Sequence, residues 1–432
     1  MEIPLASAQR RRILLAVSLL AAALISFEAS RLWLASHLLN TGNLPQMERG
    51  ASLAPGNGDY WDRLGHLRQW DLLDTDLPGA IADYKKAVAD DPHSAHYWID
   101  LASAYEASGD LARAEESFAR AKAVYPLSAE VAFHYGNFLL REQKYPEAYG
   151  ELQRAVRIDP TLLPLAISRT WRATEDVDSL LNQMLPADQD TYLQAIDFFA
   201  TIHNPDPALA VWQRLLALGK PFPLERTFSL FDELIRQDRS EDALRLWREA
   251  ASANGLSQGE PNPKSLIWDG KFQNDFLNGG LDWRWGAPPG VSIDFDSTPA
   301  PRGSRSVRLD FGGGSNISLE APLQYVPVDP NRSYHFHASM RTDQITTESG
   351  PRFSVSDPNH AGAVDVLTDS FTGSHVWTPV DTDIATGPDT HFLLVQLVRR
   401  QSRLFDNKLS GTVWIADVSL TPANTETGQV SR

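Results

Sequence analysis

The sequence predicts a multidomain chain, α then β: an N-terminal transmembrane helix, an α-solenoid of helical hairpins, and a C-terminal antiparallel β-sandwich. Three observations predict it. An unbroken apolar run stands after three arginines near the N-terminus. Small and large apolar residues then recur every 34 residues over more than a hundred positions. Beyond residue 265 the apolar period changes from that of a helix to that of a strand.

Arg10, Arg11 and Arg12 precede Ile13–Phe27, "ILLAVSLLAAALISF". Cations before such a run hold the N-terminus in the cytoplasm and send the downstream chain across the membrane. The run is short for a span, but "RLWLASHLL" carries the helical pattern past Glu28 and long end side chains snorkel. A cleaved signal peptide is the rival reading. Glu28 and Ala29 before Ser30 make a poor small-x-small cleavage site. The expectation is a cytoplasmic basic tail (1–12) and an uncleaved anchor (13–39) in a bacterial-type inner membrane. The bulk of the chain then lies on the periplasmic side.

The net charge is −16 from 39 basic and 55 acidic side chains. Residues 58–260 hold 33 of the acids and 20 of the bases. This sign opposes a phosphate-binding groove and excludes nucleic acid as the expected partner. The chain has no cysteine, which removes disulfides, thiolate catalysis and Cys-type zinc sites.

In "YWIDLASAYEASGDLARAEESFARAKAVYP", Trp98, Leu101, Ala102 and Tyr105 form one helical stripe. Gly109 breaks the chain, Ala114, Phe118 and Ala121 form a second stripe, and Pro126 ends it. One period on stand Ala132, Tyr135, Gly136 and Leu139, then Ala148, Leu152, Ala155 and Pro160. Before them, Trp61, Leu64 and Gly65 pair with Ala80, Tyr84, Ala87 and Pro92. Alanine and glycine at fixed positions let the two helices of a hairpin close, and the large residues fill the gaps. No hairpin buries its stripe alone, so neighbours must stack. The helical array is expected over 40–252, clear at 58–161 and divergent at 163–252, where Trp212 and Trp247 belong to the core stripe.

Residues 58–161 resemble the tetratricopeptide repeat family. The resemblance implies a concave groove, lined by the first helix of each hairpin, that binds a peptide or protein. Carried over position by position, the groove comprises Asp62, His66, Ile99, Ser103, Glu106, Phe133, Asn137 and Arg141. Of these only Asn137 and Arg141 suit the carboxylate clamp of some family members. Asp62 and Glu106 stand where positive charge is wanted, so a basic or neutral protein partner fits the field better.

A linker, "ANGLSQGEPNPKS", is expected over 253–265. In "SYHFHASMR", Tyr334, Phe336, Ala338 and Met340 share one face and His335 and His337 the other. "SVRLDF", "RFSVS", "HVWTPVDTDI", "HFLLVQLVRR" and "GTVWIADVSL" are further strands, parted by turn clusters such as "FGGGSN" and "ATGPDT". About eight short strands argue for a sandwich of the jelly-roll type over 266–422, before a disordered tail at 423–432.

The stretches "LNGGLDWRW", "YVPVDPNRSYHFHASMRT" and "VWIADVSLTP" resemble carbohydrate-binding modules of the galactose-binding-like jelly-roll superfamily. The resemblance implies a glycan partner and a structural calcium. Asp417 matches the usual acidic ligand, while Ala416 stands where a second acid often sits. "LDWRW" reads as an opening strand with Trp283 in the core. Pyranose faces stack on exposed aromatic rings beside polar groups, which makes Trp285, Tyr325, Trp377 and Arg341 the glycan candidates.

No HExxH, GxSxG, P-loop or dinucleotide fingerprint is present. His335 and His337 read as solvated, as do His93 and His96 at an inter-repeat turn. No catalytic residue and no cofactor beyond the calcium is expected. The reading is a membrane-anchored, non-enzymatic scaffold or adaptor that grips a protein partner in the repeat groove. By analogy with anchored repeat proteins it belongs to envelope polysaccharide assembly or export. The alternative is a carbohydrate-binding envelope protein whose repeats are a spacer. A third reading, an enzyme, requires a polar pocket with carboxylates driven apart in pKa.

Overall fold

The structure is a computed structural model that describes residues 8–40, 43–71, 75–256, 264–286, 288–296, 300–301 and 305–423. Most of the expected tail (1–12), residues 257–263 of the expected linker and residues 424–432 of the expected C-terminal tail lie outside these. The chain forms two compact units, Met1–Pro186 and Ala187–Arg432. The division falls inside the stretch read as divergent repeats.

The first unit opens with α1 (Ala8–Asn40), a helix long and apolar enough to cross a membrane, with none of its most apolar window buried. A charged pair interrupts its exposed apolar surface, which resumes at Leu32, Trp33 and Leu34. Arg31 pairs with Glu28 at 2.7 Å and donates from Nη1 to the Leu53 carbonyl at 2.6 Å. Past Leu34 the helix is docked: Ala35 and Leu39 are buried against α2 (Leu44–Leu53). A Cβ on Gly50 would lie 2.8 Å from the Ala35 carbonyl oxygen, so only glycine permits this close crossing. Leu39, Met47 and Ala51 then share a core cluster with Leu64 of the next helix.

Three hairpins come next: α3 (Gly58–Trp70) with α4 (Leu77–Asp90), α5 (Ala95–Ala107) with α6 (Leu111–Val124), and α7 (Ala129–Arg141) with α8 (Tyr145–Ile158). The expected small residues sit where helices touch. A Cβ on Gly65 would meet the Tyr84 ring at 2.8 Å, and one on Gly136 would meet Leu152 at 2.8 Å. Side-chain caps begin three of these helices, from Asp76 to the Gly79 amide, Asp110 to Arg113 and Ser128 to Val131. The repeat extends to polar detail: Trp61 Nε1 donates to the Pro55 carbonyl and Trp98 Nε1 to that of Pro92, each at 3.0 Å. The unit closes with α9 (Leu163–Thr174) and a one-turn α10 (Val177–Ser179) that runs into a π turn at Leu180–Met184.

The second unit joins two more hairpins to the sheets. The hairpins are α11 (Gln189–Thr201) with α12 (Pro205–Ala217), and α13 (Phe228–Arg236) with α14 (Ser240–Asn254). Trp212 and Trp247 are core as expected, each set edge-to-face on Phe231 at 6.2 and 5.5 Å.

The strands are β1 (Val291–Asp296), β2 (Ser306–Gly312), β3 (Leu319–Pro327), β4 (Ser333–Ile345), β5 (Arg352–Ser356), β6 (Asp365–Leu367), β7 (Gly373–Ala385), β8 (Phe392–Arg399) and β9 (Ser410–Pro422). One antiparallel sheet has the order β1-β2-β9-β4-β7 and the other β3-β8-β5-β6. Their inner faces share one core, in which Phe336 of β4 meets Phe353 of β5 at 5.2 Å. Tyr334, Phe336, Ala338 and Met340 all point into it.

"LDWRW" is not a strand. Leu281 and Asp282 lie in a turn, and only Arg284 makes a bridge, to Leu323. The turn is shaped by packing on the helices. A Cβ on Gly279 would strike the Phe228 ring at 1.9 Å, and one on Gly280 would strike Trp247 at 2.2 Å. Trp268 stands edge-to-face on Trp247 at 5.4 Å, and Asn359 Nδ2 donates to the Ile235 carbonyl at 2.8 Å. The hairpin α13–α14 and the sheets therefore share apolar and polar contacts.

Candidate functional site

Side-chain bonds step across the first helices of the three clear hairpins. Between α3 and α5, Tyr84 OH of the adjoining α4 donates to Gln69 Oε1, and Gln69 Nε2 donates to Ser103 Oγ, both at 3.0 Å. Between α5 and α7, Arg141 Nη2 donates to Glu106 Oε2 at 2.8 Å. Asn137 bonds back to the Phe133 carbonyl at 2.8 Å, and Phe133 is half-buried. Ile99, placed on the groove by repeat geometry, is 3% exposed and belongs to the core instead. Its branched apolar side chain gains more from burial than from lining an acidic face. Glu106 neutralises Arg141, which removes the one cation a carboxylate clamp would need.

The centre of this face is a cluster that crosses hairpins. Asp62 on α3 is 6% exposed, and its Oδ1 has no hydrogen-bond partner among the described residues. It faces His96 and Asp100, which stand one helical turn apart on α5. His96 Nε2 lies 3.2 Å from Asp100 Oδ2 and 3.9 Å from Asp62 Oδ2. His66 Nε2 lies 3.7 Å from Asp100 Oδ1, and Glu130 of α7 approaches His96 Nδ1 at 3.8 Å. Burial, then the Asp100 carboxylate, pushes Asp62 up to about 7, and burial also raises Asp100. Burial also pushes the Tyr84 hydroxyl up.

Repeat geometry found Asp62 and His66 but not Asp100 or Glu130, and it read His96 as a solvated turn residue. His96 is in fact in the first turn of α5. The signal available was His96-x-x-x-Asp100 at helical spacing. His93 does serve the turn, through its amide on Asp91 Oδ1 at 2.9 Å.

The sheet candidates fall into two places. Arg341 and Trp377 line one shallow cleft of about 370 Å³ with Asp343, Ser374 and His375, and the Arg341 guanidinium lies over the Trp414 ring at 4.7 Å. Tyr325 lines a separate 220 Å³ cavity with Trp247, Arg248 and Trp268, and Arg284 lies over its ring at 5.1 Å. Trp285 is half-buried against the core, and Trp283 is buried between Phe272 and Phe276. Asp417, the expected calcium ligand, sits at a β-bulge with positive φ, its Oδ2 3.6 Å from His337 Nε2. Calcium takes oxygen donors, and an imidazole neighbour suits it poorly. His335 and His337 are tied to Asp383 and Asp381 at 2.8 and 2.7 Å, and the bond to Asp383 holds the His335 imidazole above its usual range.

Residues 75–124 and 99–162 match the family model of the tetratricopeptide repeat. This segment is a tetratricopeptide repeat array. Among solved structures, the repeat protein YrrB, described as having an unusual peptide-binding site, aligns with a TM-score of 0.25 at 15% identity. That alignment covers 48% of this chain and 92% of YrrB. The enzymatically active domain of bacteriophage CBA120 tailspike protein 4 aligns with a TM-score of 0.27 at 12% identity, over 37% of this chain and 22% of its own. No curated protein matches the sequence. Tetratricopeptide repeats suggest a scaffold for protein–protein interaction, and the side chains described above lie on the first helices of the three clear hairpins.

Proposed function

We propose that the chain is a membrane-anchored, non-enzymatic scaffold that holds an extended, basic or neutral segment of a partner protein along α3, α5 and α7. The observation that carries this reading is the acidic composition of the face. Glu106 and Glu130 lie along it beside Phe133 and Asn137, with Asp62 and Asp100 more enclosed, and its best-placed cation, Arg141, is already paired. Such a field attracts cations and repels a free carboxylate. The half-buried Phe133 supplies an apolar contact. The anchor reading rests on α1 and on the arginines before it, which favour a cytoplasmic N-terminus. On that reading the Glu28–Arg31 pair and the exposed Trp33 lie near the membrane surface, and the docked end of α1 begins at Ala35.

Selection from a displayed peptide library against the full-length protein tests the reading. Enriched peptides carry Lys or Arg and no acidic cluster, and their binding weakens with salt and with Phe133→Ala. Enrichment of acidic C-terminal peptides, or binding indifferent to Phe133→Ala and Glu106→Arg together, overturns it.

A further inference from the structure

We propose that Asp62, His96 and Asp100 form a binding site for a divalent transition-metal ion of the zinc class, with His66 at its edge. The site joins the first two clear repeats and opens onto the groove. It stands on its own geometry, whether or not the groove takes a peptide.

The three donor atoms lie within 4.8 Å of one another. Ligands at zinc-type bond lengths in a tetrahedral shell are about 3.3 Å apart. The separations of 3.2 Å from His96 Nε2 to Asp100 and 3.9 Å to Asp62 bracket that edge, so rotamer adjustments without backbone movement bring the donors onto one ion. The donors come from two helices held by the Tyr84–Gln69–Ser103 chain of bonds, so the site is braced before an ion arrives.

More than acidity marks the place. Asp62 is more than nine-tenths buried and its Oδ1 lacks a donor among the described residues, while Asp100 Oδ2 has His96 Nε2 at 3.2 Å. A buried carboxylate oxygen without a donor is costly, and a second carboxylate facing it adds to the cost. A dication removes both costs at once. Two carboxylates with one or two imidazoles form a mixed N/O set that suits zinc, cobalt or nickel rather than calcium. The His66 and His96 side chains are 50% and 55% exposed, which leaves the outer coordination position facing the groove. A water, or a donor from a bound segment, completes the shell there.

The test is calorimetric titration of chelator-stripped, full-length protein in detergent with Zn²⁺, paralleled by Co²⁺ absorption spectra. The expected result is about one ion per chain, with the visible bands of a low-coordinate cobalt site. Affinity falls at least about tenfold in His96→Ala and in Asp62→Asn. It is unchanged in His93→Ala and in His335→Ala, which test the neighbouring turn and the sheet histidines. Asp62→Asn keeps the side-chain shape and removes the carboxylate repulsion, so its melting temperature without metal stays at or above that of the native chain. Absence of a cobalt band in the native chain, undiminished affinity in His96→Ala, or loss in His335→Ala instead overturns the proposal. In the first of these cases the two carboxylates simply share a proton.

Discussion

A Cβ placed on Gly280 would lie 2.2 Å from the indole of Trp247, so the turn that precedes "LDWRW" is moulded to the last helical hairpin. Gly280 also has a φ of +59°, where any side chain is strained. Gly280→Ala is expected to lower the stability of the second unit by about 2–4 kcal/mol, from the left-handed backbone and the clash together. Gly286→Ala, with open space around it, is the control and stays within about 0.5 kcal/mol. Thermal unfolding of both variants checks this.

Trp283 and Trp285 separate by burial. Trp283→Ala opens a cavity between Phe272 and Phe276 and costs about 3–5 kcal/mol. Trp285→Ala, at a half-buried position, costs about 1 kcal/mol. Denaturant midpoints at equal m-value distinguish them; equal losses would contradict the placement of the two rings.

Asp282 carries a pH dependence of unusual sign. Burial, opposed by the Leu277 amide that donates to its Oδ2 at 2.7 Å, raises its carboxyl from 3.8 to about 7, and Asp269 pushes the same way. The native state therefore keeps a proton that the unfolded state releases near pH 4. The contribution is full below pH 4, falls as pH rises to about 7 and is flat above, an effect of at most about 4 kcal/mol. Asp282→Asn removes this dependence, so the variant gains on the native chain between pH 5 and pH 8. Melting temperatures at both pH values check it, and a gap that does not change with pH contradicts it.

Glu106 holds Arg141 across two repeats at an exposed site, so the pair adds little stability. Glu106→Ala is expected to leave the melting temperature nearly unchanged and to free the guanidinium. Affinity for Lys-rich peptides then drops by about threefold to tenfold, and the salt dependence becomes shallower. Fluorescence anisotropy at two ionic strengths reads both effects.

Much of this architecture was legible because it rests on local spacing. Gly65, Gly136 and the alanines opposite them mark helix contacts wherever they recur, and strict alternation in Tyr334–Met340 marks an inner sheet face. The signals failed where the deciding contact was remote. Alternation in "LDWRW" suggests a strand, yet Gly279 and Gly280 answer to Phe228 and Trp247, some fifty and thirty positions earlier. Repeat register placed Ile99 on the groove, but register fixes only a helix face, and this position lies at its enclosed border: Asp62, its counterpart one repeat earlier, is buried as well. The Asp62–His96–Asp100 cluster was hidden for the same reason. Its members occupy different positions of consecutive repeats, so no single-repeat pattern contains them.

The first helices of the repeats are the proposed binding surface. Hydrogen exchange on the full-length protein, with and without a library-selected basic peptide, measures it most directly. Added protection is expected in α3, α5 and α7, with none in β4 or β7. Protection confined to the sheets, or to the second helices α4, α6 and α8, would contradict it.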